Sequence, residues 1–168
     1  MRKKRIKRIV MFVLAFVTIF SFSGIALASY GSFDNFPIRR QGDVDGGINS
    51  VDNYVKALQT VIKYNYSDLQ NDGIFGSTTY NKVRSYQSAN NLTVDGIVGS
   101  QTWINMDSKL VGDYNGYYYY DFYIRKPNGS HTNTYFFSCQ GYNSGSTARW
   151  WVYKAAPGDA PGQWYTLD

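Results

Sequence analysis

Asp72-Gly73-Ile74-Phe75-Gly76-Ser77-Thr78-Thr79 returns 23 residues later as Asp95-Gly96-Ile97-Val98-Gly99-Ser100-Gln101-Thr102, with six of the eight positions identical. In each copy Asp-Gly sets a tight turn and the apolar residues can enter a core. The second Gly releases the backbone, and a Ser or Thr is placed to cap a helix. The phrase predicts a loop feeding a helix, used twice, with Gly76 and Gly99 at positive φ.

The flanking segments carry helical periodicity. Val51, Val55, Leu58 and Ile62 form one apolar stripe that Ser50 is placed to cap, Tyr80, Val83 and Tyr86 a second behind Ser77, and Trp103, Met106 and Leu110 a third behind Ser100. Helices this short are marginal alone in water, so the three stripes are expected to pack on one another. Asn65 and Asn91 come after the first two stripes, where Asn substitutes for Gly in a left-handed helix terminus.

In order and spacing, Val55, Leu58 and Gln59, then Asp72, Gly73, Phe75, Gly76 and Thr79, then Val83, Tyr86 and Gln87, then Asp95, Gly96, Val98, Gly99, Thr102 and Trp103 form one pattern. Residues 51–106 resemble the peptidoglycan-binding-1 family, a three-helix cell-wall module. Tyr86 stands where the family usually has Phe, and Asn65 and Asn91 where it commonly has Gly. The resemblance implies a module that binds peptidoglycan through a shallow groove between helices. Asp72, Phe75, Tyr86, Asp95 and Trp103 are expected in or next to that groove. Beside that reading stands a plainer one, in which Asp72 and Asp95 stabilise their own loops, Gln59 and Gln87 tie loops to helices, and Trp103 is core.

Charge supports an exported chain. Six of the seventeen basic residues lie between Arg2 and Arg8, ahead of an apolar run from Ile9 to Phe22 and the small residues Ala26-Leu27-Ala28. Residues 1–28 read as a cleaved signal peptide. Its removal leaves eleven basic residues against twelve acids, so the formal charge of +5 becomes −1 and a nucleic-acid partner is not expected. The alternative keeps Ile9–Ala28 as an uncleaved anchor, since about 20 apolar residues span a bilayer. Cleavage leaves no stable membrane insertion, and the leader has no Cys to carry a lipid.

Residues 29–49 are polar and Gly-bearing and read as a linker and entry strap to a helical module at 50–110. Asp43–Asp52 resembles the calcium loop of dockerin modules. It has ten residues instead of the twelve an EF-hand loop requires, with Gly47 at the fifth position, and it reads as a turn before a capped helix.

From Asp113 the texture changes: ten of the sixteen tyrosines and three of the four tryptophans lie in 113–168. Runs at 116–126, 133–140, 149–154 and 163–167 predict a small antiparallel β-meander, making the chain α+β. With Asn128-Gly129 at a hairpin centre, Ile124 faces Asn133, Phe122 faces Tyr135, Tyr120 faces Phe137 and Tyr118 faces Cys139, which gives one apolar face. Cys139 is expected buried, and the appendage is expected to pack on the helices or to dimerise. Trp150 and Trp151 must face opposite sides of one strand. Exposed aromatic rings would form a platform for glycan, and the plainer reading makes them a small β core.

Catalytic, metal and cofactor chemistry finds no residues to carry it. The chain contains no Glu and a single His131 without a partner at ligand spacing, and Ser138-Cys139 lacks the Ser-x-Gly-Cys pattern of thiol transpeptidases. The expected function is a secreted, non-catalytic peptidoglycan-binding protein. Two alternatives are a wall-tethered factor whose β appendage grips another protein, and a wall-modifying enzyme of unrecognised type.

Overall fold

Packing decides which parts of each periodic stripe become helix. The computed structural model describes residues 33–47, 50–64, 66, 68–114, 119–132, 136–140, 149–154 and 162–167. The expected signal peptide 1–28, Asn65, Tyr118, Asn133 and Tyr135 lie outside the described residues. No helix among the described residues is long and apolar enough to cross a membrane. A 3-10 turn at Phe33–Asn35 precedes three helices, α1 (Tyr54–Lys63), α2 (Ser77–Ala89) and α3 (Ser100–Asp107). A five-stranded antiparallel meander comes next: β1 (Leu110–Tyr114), β2 (Tyr119–Ile124), β3 (Phe137–Gln140), β4 (Arg149–Lys154) and β5 (Gln163–Thr166), in sequential order.

The helix starts differ from the sequence expectation. Val51 is exposed and α1 begins at Tyr54, three residues late. The Ser50 hydroxyl accepts the Asp52 N–H at 3.1 Å and so serves the turn before the helix. The α1 start is held from the strap, because Asp45 accepts the N–H groups of Val55 and Lys56 at 2.8 and 2.7 Å. A carboxylate there satisfies two orphan donors and complements the positive end of the helix dipole. Ser77 and Ser100 are first helical residues, and neither α2 nor α3 has a side-chain cap bond.

Gly76 and Gly99 occupy those cap positions with φ of −79° and −99°, extended backbone that any residue adopts. The expectation of positive φ there is corrected. Positive φ falls three residues earlier, at Gly73 (78°) and Gly96 (75°), where the Asp-Gly turn itself needs it. Asn91, at φ 56°, does terminate α2 in the left-handed conformation.

Leu110 was expected on the third helical stripe. Instead α3 stops at Asp107 and Leu110 opens β1, paired with Ile124. This strand is absent from the sequence expectation because Gly112 and Asp113 depress strand propensity, which pairing with β2 overrides.

The hairpin also differs. The Gly129 N–H bonds the Lys126 carbonyl at 3.0 Å, so Pro127 and Asn128 form the turn centre, and Gly129 comes after it at φ 84°. Farther along the strands Phe122 pairs with Phe137 and Tyr120 with Cys139, two residues away from the expected register. A shift of two keeps every side chain on its face, so Phe122, Ile124, Phe137 and Cys139 remain together and buried. Trp150 on β4 joins this inner face, fully buried, and Trp151 faces the other side half-buried.

Helices and sheet share one core. Phe33 and Phe36 stack at 4.4 Å between ring centroids. Phe33 meets Trp103 edge-on at 5.9 Å, and on the sheet side Phe137 at 5.3 Å and Trp150 at 5.1 Å. Phe36 meets Trp103 at 5.3 Å. The segment expected as linker thus wedges two aromatic rings between α3 and the sheet, where each edge-to-face pair adds roughly 0.5–1.5 kcal/mol beyond area burial.

Candidate functional site

Two buried glutamines organise the repeated loops in the same way. Gln59 on α1 donates from Nε2 to Asp72 Oδ1 (2.8 Å), the Ile74 carbonyl (3.1 Å) and Thr79 Oγ1 (3.1 Å), and its Oε1 accepts the Gly73 N–H at 2.8 Å. Gln87 on α2 repeats this with Asp95 (2.9 Å), Ile97 (2.9 Å), Thr102 (3.3 Å) and the N–H of Gly96 (2.9 Å). In each loop the Asp Oδ1 also accepts an N–H two residues on, from Ile74 at 2.9 Å and Ile97 at 2.8 Å. The preceding helix therefore supplies the glutamine, and the next helix supplies the threonine in its first turn. Each loop is clamped between consecutive helices.

The strap adds a second clamp. Phe75 and Val98, equivalent in the two repeats, are both buried and both bonded by strap backbone. Phe75 N–H donates to Asp43 O (2.8 Å) and Gly42 N–H to Phe75 O (2.9 Å), while Arg39 and Val98 exchange two bonds at 3.0 and 2.8 Å. Trp103 Nε1 donates to the Pro37 carbonyl at 2.9 Å. Arg39 pairs with Asp52 and lies 5.0 Å over the Tyr54 ring.

Behind the first loop sits a buried ion pair, Lys56 Nζ to Asp45 Oδ2 at 3.3 Å. The ammonium also lies 4.7 Å over the Tyr165 ring of β5, and Asn53 Nδ2 donates to the Thr166 carbonyl at 2.9 Å. The last strand is thereby tied to the start of α1. Burial pushes the Asp45 carboxyl above its ordinary range, opposed by the Lys56 and Val55 N–H groups and the Lys56 charge. Sequence reading missed Asp45 and Lys56 because a pairing across eleven residues leaves no periodic signal. Thr79 and Thr102, by contrast, stand in plain sight within the repeated phrase.

The five expected site residues fall into two sets. Asp72 and Asp95 are exposed at the tips of the two loops. Phe75, Tyr86 and Trp103 are buried, Trp103 against Phe33 and Phe36. The Tyr86 hydroxyl donates to Asn105 Oδ1 at 2.6 Å, and burial first, then the neighbouring Tyr66, raises its phenol above the ordinary value. His131 is exposed at the hairpin, its ring 5.1 Å from Tyr123. Cys139 is buried, its thiol donating to the Gln140 carbonyl at 3.7 Å. Among the described residues no group of three or more His, Cys, Asp or Glu is placed to hold a metal ion. The arrangement presents two acid-tipped loops, each held by a buried glutamine.

A solved crystal structure described as a peptidoglycan-binding protein from Clostridioides difficile, in complex with glutamine hydroxamate, is 32% identical to this chain, with a TM-score of 0.37. The likeness covers 42% of this chain and 40% of that one, so the chain spans less than half of that protein's length. Residues 51–106, the segment that holds both glutamine clamps, match the family described as "Putative peptidoglycan binding domain". The matched segment is the one whose ordered motifs resemble the peptidoglycan-binding-1 module.

Proposed function

We propose that the chain is a secreted, non-catalytic protein that holds peptidoglycan noncovalently through residues 51–106. One observation carries this reading: the family match coincides with the span in which two loops are held by identical glutamine clamps. Loops ordered before they meet a ligand lose little entropy on binding, which suits a module whose role is adhesion. In this reading Asp72 and Asp95 contact the ligand from the loop tips, and Phe75, Tyr86 and Trp103 are packed in the core. The basic leader with its small-residue site supports export, and the lack of Glu together with the isolated His131 supports a role without bond cleavage.

The experiment is sedimentation of the chain from Ser29 onward with purified wall sacculi. Peptidoglycan binding predicts that the protein pellets with sacculi and leaves their turbidity unchanged. A folded protein that stays in the supernatant would overturn the reading, and falling turbidity would overturn the non-catalytic part.

A further inference from the structure

Exposed aliphatic side chains concentrate on one seam of this molecule. Seven large hydrophobic residues are exposed among those described, and five lie on the strap or the repeated loops: Ile38 (60%), Val44 (63%), Ile74 (50%), Val94 (42%) and Ile97 (39%). Such concentration marks an interaction surface more than scattered exposure does.

The backbone explains how the seam is built. Val44 and Ile74 face each other in an antiparallel bridge flanked by the bonds Asp45 N to Gly73 O (2.9 Å) and Phe75 N to Asp43 O (2.8 Å). Theirs is the pair type in which opposed side chains come closest. In the second repeat Arg39 and Val98 are bridged, and Val98 points into the core. One residue outward in each strand, Arg40 stands opposite Ile97, and both are exposed. Each loop tip therefore offers an exposed isoleucine and an exposed aspartate. The strap gives the first isoleucine an aliphatic neighbour and the second a cationic one.

We infer that Val44 and Arg40, which lie outside the matched family segment, complete the ligand surface, and that this surface takes the stem peptide of peptidoglycan rather than its glycan strand. The inference rests on the peptidoglycan-binding reading above. Stem peptides are short chains rich in alanine methyls that carry both amino groups and carboxylates. Methyls lose water against Val44 and Ile74, a carboxylate pairs with the Arg40 guanidinium, and Asp72 and Asp95 match the amino groups. A neutral glycan face calls instead for a run of exposed aromatic rings, whereas Phe75 of the first loop is buried and Tyr80, packed on Gly96 of the second, is half-buried with Arg84 over its ring.

Three proteins are compared with intact sacculi, with glycan strands stripped of peptide by an amidase, and by sedimentation velocity: the chain from Ser29 onward, Val44→Asn/Ile74→Asn, and Arg40→Gln. The expected result is that the parent pellets with sacculi and not with stripped strands. The double variant should bind at least about tenfold more weakly at an unchanged melting temperature. Arg40→Gln should lose affinity and part of the salt dependence. Equal binding of the parent to stripped strands, or undiminished binding by both variants, overturns the stem-peptide assignment while wall binding stands. A parent dimer that the double variant dissolves without loss of wall binding also overturns it, by showing that a second copy covers the seam. Failure of the parent on intact sacculi removes the underlying reading as well.

Discussion

Gln59 Oε1 accepts the Gly73 N–H at 2.8 Å, and that bond joins the middle of α1 to the one loop residue at positive φ. The same glutamine spends its two amide hydrogens on Asp72, Ile74 and Thr79, so one side chain sets the loop's turn, tip and exit. Gln87 performs the same task for Gly96.

Replacing either glutamine by Leu should be strongly destabilising. The apolar side chain fills the space but leaves the buried Gly73 or Gly96 N–H without its acceptor, and such an orphaned group costs about 1–3 kcal/mol. Thermal melts of Gln59→Leu and Gln87→Leu should each show a loss of several degrees or more. A melt equal to the parent would show that the clamps contribute nothing.

The glycines of each phrase should separate by position. At Gly96, φ is 75° and a Cβ would run into the Tyr80 ring; at Gly73, φ is 78° and a Cβ would meet the Lys56 ammonium. Ala at either should cost about 1–2 kcal/mol or more. At Gly76 and Gly99, φ is negative and the space is open, so Ala there should change stability by less than about 0.5 kcal/mol. Urea midpoints of the four variants check the ordering.

Asp107 gives a pH prediction. Burial, then the nearby Asp34 charge, pushes its carboxyl up to about 6 despite a bond from the Phe33 N–H. The native state thus holds this proton more tightly than the unfolded chain, where the value is 3.8. Protonated Asp107 favours the fold at low pH, and that contribution fades as pH rises from about 4 to about 6. Asp107→Asn keeps the bond acceptor without the charge. It should raise the melting temperature at pH 7 more than at pH 4, and an equal shift at both would contradict the assignment.

Trp150 and Trp151 should behave oppositely. Trp150→Ala removes a ring packed on Phe33 and on Phe122, each 5.1 Å away, and should cost about 3–5 kcal/mol. Trp151→Ala, on the half-exposed face, should cost clearly less. Because Trp150 also meets Phe36, whose ring packs on Trp103, the first loss should be seen in the helical half as well, by amide exchange in α3. A fragment ending at Lys109 should for the same reason melt far below the full chain.

Much of this architecture is legible along the chain because its causes are local. The repeated phrase, helical spacing at Val55, Leu58 and Ile62, and the left-handed Asn91 each reflect interactions within one or two turns. Opposite facing of Trp150 and Trp151 comes from strand geometry alone, and burial of Cys139 from its apolar neighbours. Even the mistaken hairpin register preserved the faces, since it was wrong by an even number of residues.

The tertiary structure alone decided the rest, because those features depend on contacts between distant segments whose partners leave no mark on local periodicity. Asp45 reaches α1 across ten residues and takes the capping role that Ser50 was expected to fill. Leu110 leaves its helical stripe because β2 offers it Ile124. Phe33 and Phe36 look like scattered apolar residues in a polar strap, yet the space between Trp103 and Trp150 makes them the hinge of a shared core. The seam of Val44, Ile74, Arg40 and Ile97 exists only because the strap folds back across both loops, joining residues that the sequence holds 30 to 57 positions apart.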